Sequence, residues 1–369
     1  MTNPTASQWV GVNRFIDAYL SHADSQSTYL VYSREASTIT SWISAALDIR
    51  GCNNSSIYLN SNAFKLEESL QSCILNEEST NQKAYIVVLE VERMSHTDIF
   101  RKIIKKYNDI KIVRVMSSIP ELFEGACSTN TEVLSQINSY LLNQFKIHNK
   151  FTVSSQYGTN LNIELENNNY HWISNRGVFV KDQPIIIPAG EVATYPAKIN
   201  GTLVADFAIN SNNIKDIDVR LNENPIEVFI EDNKVKDFYC RNKKICSFIE
   251  EVFHTPHGNR VGELGIGTNL GIEQPIKLNS HINERVLGVH LGFGQHNQAG
   301  KVSYRCQRHL DLIQQNGILH FEGESLELVK EEVLLKATAF KYSHPAGMRG
   351  EDVFSPEDAI ENGDCCGVS

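Results

Sequence analysis

Up to about residue 145 the chain alternates short apolar runs with amphipathic stretches, the pattern of strand-helix units around a mostly parallel sheet. Thr28-Tyr29-Leu30-Val31-Tyr32 reads as a buried strand. Ile39, Trp42, Ile43, Ala46 and Leu47 then fall on one helical face, and Gly51 offers the stop. Ala84 to Leu89 is the next predicted strand, Ile99, Ile103 and Ile104 mark a helix, and Lys111 to Met116 returns to strand. A further helix runs through Leu134, Ile137, Leu141 and Leu142. From about Phe151 the period shortens to two, as in Asn160-Leu161-Asn162-Ile163-Glu164-Leu165, which predicts antiparallel strands. The expected division is an α/β domain over 1–148, a mixed, largely antiparallel α+β domain over 149–325, and an extension over 326–369. In that extension Leu326 to Phe340 is helix or strand, and a polar tail ends in Cys365-Cys366.

Composition narrows the function. A chain of 369 residues with 41% hydrophobic content has material for two cores. Its formal charge of -10 gives no footprint for nucleic acid and repels anionic membranes, so the expected partner is a peptide or small molecule. No window approaches 18 continuous apolar residues, and no membrane span is expected. The eight cysteines (52, 73, 127, 240, 246, 306, 365 and 366) follow no disulfide framework. The N-terminus MTNPTASQWV lacks a basic stretch before an apolar core, and together these predict a cytoplasmic protein with reduced thiols. No Gly-rich phosphate loop follows any predicted strand of the first half, which excludes a nucleotide-binding reading there.

Candidate chemistry gathers in the second half. Glu191 follows the turn Pro188-Ala189-Gly190; taken singly it reads as a solvated turn residue. Glu263 is the one carboxylate in Gly262-Glu263-Leu264-Gly265-Ile266-Gly267, and a charge in such a run needs a partner or a metal. His290 sits in Val286-Leu287-Gly288-Val289-His290-Leu291-Gly292, where a core histidine bonded to a backbone group is the plainer reading. In His309-Leu310-Asp311, an extended backbone places imidazole and carboxylate on one face, ready to chelate a cation. Two imidazoles and three carboxylates without a thiolate suit zinc, cobalt, manganese or ferrous iron in an open site. The helical HExxH zinc motif is absent.

These segments, with Tyr157-Gly158-Thr159-Asn160-Leu161 ahead of them, occur in the order seen in leucyl aminopeptidase-like proteins of the aminopeptidase T family, which the chain resembles over roughly residues 25–325. The resemblance implies an α/β domain followed by a catalytic domain, a homodimer, and a pair of divalent ions held by Glu191, Glu263, His290, His309 and Asp311. Peptide hydrolysis follows, with Glu191 or Glu263 also helping to move the proton to the leaving amine. The chain departs from the family where the peptidases have a tyrosine shortly after the equivalent of His290; here it reads Gly294-Gln295-His296-Asn297-Gln298, and His296 is the candidate replacement acid. The alternatives are a specialised peptide-maturation relative on the same scaffold and a related branch that resembles 2,5-dihydroxypyridine dioxygenase, which implies one ferrous ion on His309, Asp311 and a further histidine. His254 and His257 are the candidates for that third position.

Overall fold

The computed structural model describes residues 2–20, 26–59, 63–80, 84–91, 95–107, 109–180, 182–214, 216–298 and 300–340. By contact the chain divides into two units, one of residues 1–131 with 177–189, the other of 132–176 with 190–369. The expected elements are present: helices Ser37–Ile49, Thr97–Lys106 and Thr131–Ile147, strands Ser27–Tyr32, Ala84–Leu89 and Ile110–Val115.

In the first unit these strands join Asn54–Tyr58 and Ile185–Ile187 in a five-stranded sheet whose pairings are all parallel. All six residues of Ala84–Leu89, a central strand, are buried, and a strand covered on both faces requires such an unbroken apolar run. On one side Ile86 and Val88 share a cluster with Leu66, Leu70, Ile99, Phe100 and Ile103 of the flanking helices. One charge pair is embedded there: Arg114 Nη2 donates to Glu90 at 2.6 Å, both buried, and the guanidinium also donates to Ser95 O and Thr97 Oγ1 while lying 4.9 Å from the Phe100 ring.

The second unit carries two antiparallel sheets. Seven strands run in spatial order Lys234–Tyr239, Ile226–Glu231, Lys198–Ala205, Asn160–Glu164, Lys150–Ser154, Ile318–Phe321 and Glu324–Glu327. The other sheet has six, in order Ala208–Ser211, His309–Gln315, Gly288–Gly294, Val261–Gly267, Glu191–Thr194 and Ile173–Asn175. The architecture is therefore the expected one, a parallel α/β part and a largely antiparallel part.

The division itself falls elsewhere than at 148. The helix Thr131–Ile147 belongs with the antiparallel unit because Phe145 stacks on Trp172 at 4.7 Å and 8° and also meets Phe151 and Phe321. Residues 177–189 return to the first unit because Ile185–Ile187 completes its sheet beside Ile110–Val115. A short strand between two prolines carries no mark of the sheet it will join. The strand Glu324–Glu327 and the helix Lys330–Ala339 likewise count with the second unit rather than with a separate extension. The expected tail with Cys365 and Cys366 lies outside the described residues. Among the described residues no helix is long and apolar enough to cross a membrane.

Candidate metal centre

The six-stranded sheet has two chemically different faces, and the alternation of its strands makes them so. Leu264, Ile266, Val289, Leu291, Phe293, Leu310 and Leu312 point to one side and are fully buried. The residues between them, Glu263, His290, His309 and Asp311, point to the other, with glycines at the positions that face them across the strands. Gly265 lies opposite His290, Gly292 opposite both Glu263 and Asp311, Gly294 opposite His309, and Gly267 opposite Glu191.

The glycines make room for the donors. A Cβ on residue 265 would stand 2.0 Å from His290 Nε2. One on residue 292 would meet Asp311 Oδ1, Glu263 Cβ and His309 Cε1, each at 2.9 Å. At the entrance to the Glu191 strand, Gly190 has φ +112°, and a Cβ there would stand 2.9 Å from Asn269 N, a conformation and a clearance that suit glycine alone. Asn138, buried on the helix Thr131–Ile147, donates to Glu191 O at 2.9 Å and accepts from Thr268 Oγ1 at 2.7 Å, fixing that entrance from behind.

The structure thus brings together all five residues expected as ligands, each buried. His290 Nε2 stands 3.1 Å from Glu191 Oε1 and 4.0 Å from Glu263 Oε1, and one donor atom from each of these three lies within 4.8 Å of the others. His309 Nε2 stands 3.0 Å from Asp311 Oδ1. Donors about 3 Å apart can share one ion at roughly 2.1 Å each. Glu284 and Arg285 border the set: Arg285 Nη1 is 2.6 Å from Glu191 Oε1 and 3.3 Å from Glu284 Oε2, and Glu284 is held further by His281 at 3.0 Å and by Asn210.

Electrostatics shows what this arrangement costs. Four carboxylates are buried around one guanidinium. Burial and then the Glu191 charge push the Glu263 carboxyl up to about 8. Burial alone would depress His309, but Asp311 overrides it and raises the imidazole to about 10; Glu191 does the same for His290, which rises to about 9. Burial also raises Asp311, against the pull of His309. Glu191 is held below the ordinary carboxylate range because Arg285 and His290 outweigh its burial, and Glu284 lies well below it through His281 and Arg285.

A divalent cation fits this set. Both oxygens of Asp311 are buried and accept no hydrogen bond, despite the short approach of His309. In the metal-free chain the His309 imidazolium offsets this charge, and a divalent ion between the two side chains would take over that role. His309 Nδ1 lies 3.3 Å from Gln295 O, the carbonyl contact that fixes an imidazole with Nε2 directed at a metal.

His296 stands apart from the five. Its Nε2 donates to Tyr304 O at 2.8 Å, its Nδ1 accepts from Gln298 N, and its ring meets Tyr304 and Tyr195 edge-on. With both nitrogens engaged by backbone and its pKa lowered by burial, it is built as a neutral structural imidazole rather than the expected acid. His254 is exposed on the helix Lys243–His254 with Nδ1 against Glu250 O, and His257 stacks on Tyr304 at 5.0 Å. Neither is brought to His309 and Asp311 by any of these contacts.

Comparison with known proteins bears on the fold. The family model "Crocagin biosynthetic protein CgnE/B" matches residues 198–315, a span holding Glu263, His290, His309 and Asp311 but not Glu191. Among solved structures, 2,5-dihydroxypyridine dioxygenase from Pseudomonas putida KT2440 is similar with TM-score 0.59 and 15% identity, over 87% of this chain and 96% of that one. Wild-type AmpT from Thermus thermophilus is similar with TM-score 0.54 and 12% identity, over 88% and 98%. The shared property is the fold. No curated protein sequence matches the chain.

Sequence reasoning missed Glu284, Arg285, His281 and Asn210. Asn283-Glu284-Arg285 stands directly before the apolar run that leads to His290, so an unbroken charged pair ahead of a buried strand was the available signal. Asn210 carried none, since only the pairing of its strand with His309–Gln315 sets it opposite Asp311.

Proposed function

We propose that this chain is a metal-dependent hydrolase acting on amide bonds of peptides, with the cation held from the set Glu191, Glu263, His290, His309 and Asp311. The observation that carries the reading is Asp311, whose two buried oxygens accept no hydrogen bond beside a histidine fixed by a backbone carbonyl. A bound divalent ion supplies Lewis-acid polarisation of a carbonyl and a lowered pKa for water. The residues do the rest. Glu263, whose carboxylate stands 4.0 Å from His290 Nε2 within the set, is the group assigned to serving the leaving amine. Burial keeps bulk water from the charged groups and strengthens each electrostatic contact. The fold shared with AmpT and the match to a biosynthetic family support a peptide-processing role within a biosynthetic route.

Oxygen chemistry at one ferrous ion is the second reading, favoured by the fold shared with the dioxygenase. It needs a second histidine, and His254 and His257 make their contacts elsewhere, so that place falls to His290, which is engaged with Glu191.

The test is metal content together with turnover. His309→Ala and Asp311→Ala should each lose the bound ion and the release of N-terminal residues from short peptides while the fold persists, and wild-type hydrolysis should proceed without oxygen. Full metal content in both variants sinks the assigned centre. One bound iron with oxygen consumption on an aromatic diol sinks the hydrolase.

A further inference from the structure

The buried cluster is not symmetrical. On one side His309 is oriented by Gln295 O and Asp311 has two oxygens without hydrogen bonds, the preparation of a cation site. On the other, Glu191 Oε1 already has two partners, Arg285 Nη1 at 2.6 Å and His290 Nε2 at 3.1 Å. The His290 Nδ1 is buried without a hydrogen bond, so no carbonyl turns this ring toward a metal. Glu263 lies between the two sides, with its Cβ against Gly292 beside Asp311 and its carboxylate 4.0 Å from His290.

From this asymmetry, and resting on the reading of the cluster as a metal centre, we infer that Arg285 is a built-in replacement for a second cation. Its guanidinium neutralises Glu191, and the chain binds one divalent ion, seated against His309 and Asp311. A guanidinium is always charged and offers several donors in a fixed plane, so it bridges Glu191 and Glu284 as a second ion would bridge two carboxylates. The charge count agrees. Arg285 seated between Glu191 and Glu284 gives those two buried carboxylates a fixed cation, which leaves Glu263 and Asp311 to be offset by one divalent ion. The pair of ions that the aminopeptidase resemblance implies is thereby reduced to one, and Glu191 becomes the anchor of Arg285 rather than a ligand.

Protein stripped with chelator, reloaded with Co²⁺ or Zn²⁺ alone and freed of excess ion, should hold one ion per chain by elemental analysis. Arg285→Met should raise this to two, because Glu191 and His290 are released to bind. Arg285→Lys, which keeps the charge, should stay at one. Two ions in the wild type, or one in Arg285→Met, overturns the role of Arg285 while leaving the metal centre standing. No ion in the wild type overturns the centre itself, and the inference with it. Should Arg285→Met fail to fold, Glu191→Gln decides the matter: retention of one ion at unchanged affinity supports the assignment, and loss of the ion makes Glu191 a ligand and refutes it.

Discussion

At Gly292 a single hydrogen atom decides whether the centre can form, since a methyl group there would stand 2.9 Å from both Asp311 Oδ1 and His309 Cε1. Gly292→Ala should therefore displace the carboxylate and imidazole that seat the ion and weaken metal binding by at least tenfold. Overpacking in the sheet should cost about 1–3 kcal/mol of stability. Isothermal titration with Zn²⁺ beside a thermal melt measures both, and a variant that binds the ion as the wild type does would show that the glycine spacing is incidental. That these five residues share one buried cluster was legible because a carboxylate or imidazole inside an apolar strand run is expensive, and His-x-Asp on a strand has one geometric consequence. The glycines opposite them looked like turn punctuation in the sequence. Their function as clearance appears only in the register, where each faces a donor on another strand. His296 was misread for a related reason: its position after the Gly288–Gly294 strand suggested chemistry, and only the backbone atoms of Tyr304 and Gln298 show that both nitrogens are taken.

The elements followed their periodicity closely, and the assembly of those elements did not. Ala84–Leu89 was readable to the residue because a strand buried on both faces is an unbroken apolar run. The helix Thr131–Ile147 was readable as a helix, but its membership of the second unit depends on partners far along the chain, among them Trp172, Phe321 and Thr268. Asn138 makes that dependence testable. It is fully buried and donates to Ser174 Oγ and Glu191 O while accepting from Thr268 Oγ1, so one side chain ties the helix to three segments of the site sheet. Asn138→Ala leaves several buried polar groups unpaired, each worth about 1–3 kcal/mol. The expected result is a loss of several kcal/mol in denaturant unfolding. Asn138→Asp preserves the acceptor for Thr268 but turns a buried carboxylate oxygen toward the carbonyl oxygens of Asn175 and Glu191, so it should cost at least as much as alanine. A loss below about 0.5 kcal/mol for alanine, the range of ordinary surface substitutions, would show that the helix is held by its apolar face alone.

Across the whole molecule the buried cluster ties stability to pH, and the sign follows from the direction of each shift. Glu263, His290 and His309 have folded-state values raised to about 8, 9 and 10, so the folded chain holds protons that the unfolded chain releases. Their contribution is complete below the unfolded values, about 4.3 for Glu and 6.5 for His, and is lost as pH rises through the folded ones. Glu191 and Glu284 are shifted the other way, so their contribution is present above the unfolded value and is lost as acid protonates them. The metal-free protein should therefore be most stable in mildly acidic solution, between these two windows, and its melting temperature should fall steadily from about pH 6.5 to pH 9. A divalent ion seated against His309 and Asp311 replaces the His309 proton and favours the charged form of Glu263, so saturating Zn²⁺ or Co²⁺ should flatten that decline and stabilise most at the alkaline end. Calorimetric melts at half-unit pH steps, with and without the ion, measure both slopes, and His309→Ala should show a shallower decline without metal and no response to it. A metal-free melting temperature that is level or rises from pH 6.5 to 9 would mean that the cluster does not hold its protons, and the charge balance assigned to it would fail.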